Sequence, residues 1–167
     1  MPYHLLMADK SMEQLRSLLK SYEERTAKLH VEVKPAHDEG ERRRRACGDR
    51  LRTVVRSVLD RFMDALKNAG HDASIEDRTD STDAYPSVSL AFTPRSPGGT
   101  ALRSVLTFRY DPRRGIAVAR DIKPSPTKGR VVTSSSDRIG TMKVEAVSVE
   151  WVETKTLSFI EAVLKAN

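Results

Sequence analysis

A change of apolar period part-way along the chain constrains its fold more than any other feature. Up to Ala69 the apolar residues recur at spacings of three and four, whereas from Tyr85 to Ile122 they alternate with polar ones. A period near 3.6 belongs to a helix with one buried face, and a period of two belongs to a half-buried strand. No single element satisfies both. From Ser148 onward the helical period returns. Helices kept apart from a run of consecutive strands predict an α+β domain, with no βαβ alternation.

Within the alternating part, Val88, Leu90 and Phe92 share one side of a first strand over residues 85–93. Leu102, Leu106, Phe108 and Tyr110 do so over 102–110, and Ile116, Val118 and Ile122 over 116–122. Pro94 and Pro97-Gly98-Gly99 mark the first connection, and Asp111-Pro112-Arg113-Arg114-Gly115 the second. Residues 77–83 read as an acidic turn. Residues 130–133 and 142–146 are weaker strand candidates around a loop at 134–137. The expected sheet is therefore antiparallel with three to five strands. Ser148 caps a last helix that carries Val149, Val152, Leu157, Ile160, Val163 and Leu164, with Trp151 and Phe159. That helix and the one before the sheet are expected to cover one face of it.

The helical part holds two unlike stripes. Between residues 11 and 33 the apolar positions are Met12, Leu15, Leu19, Tyr22, Leu29 and Val33, with Thr26 filling the gap. Only Leu18, Ala27 and Val31 are apolar outside that band, whose period is close to heptad. Pro35 disfavours continuation beyond Lys34, so a break is expected over residues 35–40. This divides the chain into an N-terminal helical arm, 1–40, and an α+β domain, 41–167. The second stripe is wider: Cys47, Leu51, Val54, Val55, Val58, Leu59, Phe62, Met63 and Leu66, closed by Asn68-Ala69-Gly70. A stripe as narrow as the first needs a partner, either the rest of this chain or a second copy, and its near-heptad period suits a companion helix better than a sheet. Self-association through Met12, Leu15, Leu19, Tyr22, Leu29 and Val33 is therefore expected, most simply as a homodimer.

Charge and composition limit the functional classes. Apolar residues make up 38% and charged residues 31%, with a net charge of +6. The single cysteine, Cys47, rules out an intrachain disulfide framework and favours a reducing compartment, so a cytoplasmic location is expected. The first residues lack a basic stretch followed by an apolar run, and read as mature sequence rather than a signal peptide. No run of 18 apolar residues occurs, so no membrane association is expected.

Catalytic and ligand signatures are sparse. His4, His30, His37 and His71 stand at no zinc-ligand spacing from one another or from Cys47. His37-Asp38 and His71-Asp72 read as solvated loop residues. Cys47 falls on an apolar stripe, which suits a core residue better than a nucleophile. Glu76, Asp77, Asp80 and Asp83 lack the spacing of a cation loop. There is no phosphate-binding glycine loop and no serine elbow. No catalytic, cofactor or metal site is expected.

The arginines are the least ordinary feature. Arg42, Arg43, Arg44 and Arg45 begin the second helical stretch, Arg103 and Arg109 fall on the non-core side of a strand, and Arg113 and Arg114 sit at a hairpin tip. These eight side chains would suit phosphate neutralisation. Against that reading, Phe92, Phe108 and Tyr110 face the core, leaving no stacking platform on the outer face. The expected function is a non-enzymatic protein-interaction module that self-associates through its N-terminal helices. The alternative is a basic protein that contacts the phosphate backbone of nucleic acid.

Overall fold

The computed structural model describes the backbone of residues 2–125 and 135–167, and the side chains of residues 10–27, 38–125 and 136–167. The chain falls into two compact units, Met1–Arg42 and Arg43–Asn167.

Helix α1 (Pro2–Arg50) keeps helical backbone through Pro35 and Gly40, where the sequence predicts a break. His37 and Asp38 therefore lie in a helix, not a loop. An internal proline removes one hydrogen bond and costs about 3 kcal/mol. Stopping instead would leave eight backbone groups without helical partners and require a second costly nucleus. The straight-chain residues Glu39 and Glu41 that follow Pro35 lose little side-chain freedom in a helix. They favour the continuous solution.

A single π-helical turn, Leu51–Val55, precedes α2 (Arg56–Asn68), and the Arg56 N–H donates to the Leu51 carbonyl five residues back. Positions four apart drift by about 40° around an α-helix. The wider turn sets that drift back, so Cys47, Leu51 and Val55 can all be fully buried. The C-terminus of α2 is closed by Gly70 at φ +90°. Ala69 donates to the Ala65 carbonyl at 3.1 Å and His71 to that of Leu66 at 3.0 Å.

Five strands follow: β1 (Asp72–Asp77), β2 (Ser87–Thr93), β3 (Ser104–Asp111), β4 (Gly115–Ile122) and β5 (Ser135–Met142). They pair in sequence order, all antiparallel, as a meander. Val88 lies opposite Phe108, Leu90 opposite Leu106, and Phe108 opposite Val118. These cross-strand pairs form one apolar face. Helix α3 (Val149–Ala166) starts at Ser148, whose hydroxyl accepts from the Trp151 N–H. Leu51, Val55, Val58 and Leu59 join Val152, Phe159 and Val163 over that face in one buried cluster. The expected α+β architecture is the observed one.

Two strands differ from the sequence expectation. Strand β1 opens at Asp72, expected in a loop, and ends at Asp77, expected to open a turn, with Ala73 and Ile75 opposite Phe92 and Leu90. Residues 135–137, expected in a loop, belong to β5, while the candidate strand at 130–133 lies outside the described residues. The strand expected at 142–146 is absent. There β5 ends at Met142 and the chain turns in a short 3₁₀ segment, Val144–Ala146. Met142 and Val144 both pack against the core, which gives this turn an apolar alternation resembling that of a strand.

Candidate functional site

The hairpin joining β3 to β4 is built by its own polar groups. The Asp111 carboxylate accepts from the Arg113 N–H at 2.9 Å, and its carbonyl accepts from the Arg114 N–H at 3.1 Å. Gly115 closes the turn at φ +107°, a conformation that L side chains rarely adopt. A Cβ there would stand 2.3 Å from the Met142 carbonyl oxygen and 2.8 Å from Lys143 Cα. The hairpin tip is thereby held against the exit of β5, and Arg113 and Arg114 lie beside Lys143.

The third wall comes from the end of α1. Arg50 donates to the Val147 carbonyl at 3.1 Å and to the Glu145 carbonyl at 3.3 Å, tying the segment after β5 to the helix. Arg43 and Ala46 complete that side. Together these elements enclose an open cleft of about 770 Å³ lined by Arg43, Arg50, Arg113, Arg114 and Lys143 against two carboxylates, Asp111 and Glu145. Its less polar surface includes Ala46, Tyr110, Pro112 and Val144. Burial pushes the Tyr110 phenol above its ordinary range, so it stays neutral at physiological pH.

Three of the eight arginines proposed from sequence for phosphate contact, Arg43, Arg113 and Arg114, thus meet in one place. The others do not. Arg44 donates to the carbonyls of Ser81 and Ala84 at 2.6 and 2.7 Å. Arg42, Arg45 and Arg103 are exposed elsewhere. Arg109 lies on the opposite side of β3 from Phe108, in a smaller hollow of about 300 Å³ with Tyr85, Thr107 and Arg138. Lys143 escaped the sequence reading. Arg50 gains its position from partners 95 and 97 residues away, and no local pattern encodes that.

Most other arginines of this unit serve the fold. Arg52 meets Asp49 at 2.5 Å and Asp80 at 2.8 Å, Arg56 meets Asp77 at 2.6 Å, and Arg61 meets Glu153 at 3.0 Å. Arg78 pairs with Glu76, and Arg120 with Asp137. The acidic stretch after α2 is thus fastened to the helices. Burial pushes the Asp77 carboxyl up, but hydrogen bonds from Thr79 and Arg56 outweigh this and lower its pKa overall.

The remaining candidates are structural. Cys47 is fully buried, and desolvation pushes its thiol up to about 12, so little reactive thiolate is present at neutral pH. His71 accepts from the Arg95 N–H at 2.9 Å and meets Phe92 edge-on at 5.5 Å. In the arm, Met12, Leu15, Leu19 and Tyr22 are exposed. The side chains of Leu29 and Val33 lie outside the described residues, as do those of His4, His30 and His37. No helix among the described residues is long and apolar enough to cross a membrane. No family model matches the chain, and no curated protein or solved structure does either.

Proposed function

We propose that this chain is an assembly module that joins a second copy of itself through the apolar stripe of α1. One observation carries the reading: Met12, Leu15, Leu19 and Tyr22 stand 50, 46, 53 and 62% exposed along one side of the helix. Leu18, at 66%, widens the same surface. Fully burying a leucine contributes about 1.5–3 kcal/mol, so this surface gains considerably from a partner.

The pattern favours a second copy. Stepping by three and four from Met12 to Tyr22 is the seam of a coiled coil, which a like helix fills. Arg16 and Glu23 lie seven residues apart and flank the seam on one side. Two antiparallel copies would set Arg16 of one near Glu23 of the other, whereas a parallel pair gains no such match. Light scattering at micromolar concentration tests the reading. The unaltered chain is expected to be a dimer, and Leu15→Asp with Leu19→Asp a monomer whose sheet signal in circular dichroism survives. A monomeric unaltered chain would overturn it.

A further inference from the structure

The basic side chains of the unit Arg43–Asn167 differ in what they meet. Arg52, Arg56, Arg61, Arg78 and Arg120 each sit within 3.0 Å of a carboxylate. Arg113, Arg114 and Lys143 have no carboxylate partner among the described residues, although Asp111 and Glu145 line the same cleft. Their backbones are held close to one another. The close approach of Gly115 to Met142 and Lys143 fixes the backbones that carry them, and Arg50 anchors the neighbouring segment. Like charges held together this way repel one another, and a bound anion relieves that repulsion.

From this convergence we propose that the cleft between the end of α1, the β3–β4 turn and Lys143 binds a phosphorylated small molecule through its phosphate groups. Arginine presents a planar fork that matches phosphate oxygens with two parallel hydrogen bonds, and lysine adds a mobile point charge. The volume of about 770 Å³ lies within the range of small-ligand sites. Ala46, Tyr110 and Pro112 offer contact to an organic portion beside the cations. A nucleic-acid backbone is the poorer fit, because it needs a track of cations rather than one concave cluster. The nearby Arg120 is held by Asp137, Arg44 is held by carbonyls, and Arg109 lies on the other side of its strand. The site is independent of the arm and of its self-association.

Calorimetric titration of the full chain with inorganic pyrophosphate, with adenosine diphosphate and with a short DNA duplex, at about 100 mM salt, tests the proposal. Saturable binding of one pyrophosphate or one adenosine diphosphate per chain is expected. Tighter binding of the nucleotide would show that the organic part is recognised as well, and equal binding would show recognition of phosphate alone. Replacing Arg114→Ser together with Lys143→Ser should weaken binding at least about tenfold, since each charge-assisted hydrogen bond contributes on that scale. Arg109→Ser, outside the cleft, should leave it unchanged, and thermal melts of both variants check that they fold. Three results would overturn the proposal: no binding of either phosphate compound at millimolar concentration, equal weakening by Arg109→Ser, or tighter binding of the duplex with a steep salt dependence.

Discussion

Leu51 and Leu59 are fully buried, whereas Leu15 and Leu19 are about half exposed, although all four lie in helical backbone on apolar stripes. The stripes differ in width. Around Leu59 the apolar positions come in adjacent pairs, Val54 with Val55, Val58 with Leu59 and Phe62 with Met63, spreading over a broad face. A broad face fits a sheet, whose surface accepts side chains across its whole breadth. Around Leu19 the apolar positions Met12, Leu15, Leu18, Leu19 and Tyr22 make a narrower band, and the steps of three and four from Met12 to Tyr22 suit a seam against another helix. The breadth of the stripe, rather than the residue type, separates the two regions.

The largest expected effect lies in the broad stripe. Leu59→Ala leaves a cavity among Val55, Phe159 and the sheet, and should cost the unit Arg43–Asn167 about 2–5 kcal/mol. Trp151 is half-buried and meets Phe108 edge-on at 5.9 Å, so its fluorescence reports unfolding of this unit. An unchanged denaturation midpoint would mean that the two stripes do not differ in the way described.

The broad stripe and the central strands β2, β3 and β4 were legible in the sequence because their large apolar residues repeat at the period of the element. Edge strands β1 and β5 were not. Each has a neighbour on one side only, and Asp72, Ser74 and Glu76 in β1, or Asp137, Arg138 and Gly140 in β5, suit an exposed edge. Their order comes from the partner strand, as when Ile75 pairs with Leu90. The cleft was legible only in part for a similar reason. Arg113 and Arg114 announce a basic turn, but the contacts that bring Arg50 and Lys143 beside them are long-range.

The helical path through Pro35 makes the arm sensitive to one substitution. Pro35→Ala restores a backbone donor to the carbonyl of Val31 and should favour the helix there by up to about 3 kcal/mol. Helix content followed by far-ultraviolet circular dichroism should then persist to higher temperature, while the Trp151 transition stays in place. A Trp151 transition that moved equally would contradict the division into two units.

Asp77 offers a smaller effect on the broad-stripe side. Asp77→Ala removes the acceptor of Thr79 and the partner of Arg56, at about 1–3 kcal/mol. Because its folded pKa is lowered, the stability it adds is fully present above its unfolded pKa and is lost as pH falls through the folded value. The Trp151 midpoint of the unaltered chain should therefore decline below about pH 4, the ordinary carboxylate range, more steeply than that of Asp77→Ala.

The smallest expected effect is the most discriminating for the narrow stripe. Leu15 is already half exposed, so truncating it removes little apolar surface that the isolated chain buries. In a dilute, dissociated sample Leu15→Ala should leave the Trp151 midpoint within about 0.5 kcal/mol of the unaltered value, as surface substitutions do. In the proposed dimer the exposed half of this side chain becomes buried in each copy, so each association loses two such contacts. At about half of the 1.5–3 kcal/mol for full burial in each copy, the dissociation constant should rise by about one to two orders of magnitude. Sedimentation equilibrium across a concentration series measures the association, and denaturation of a dilute sample followed at Trp151 measures the stability. A shift at low concentration with no change in association would place Leu15 against its own chain, and would return the narrow stripe to the same role as the broad one.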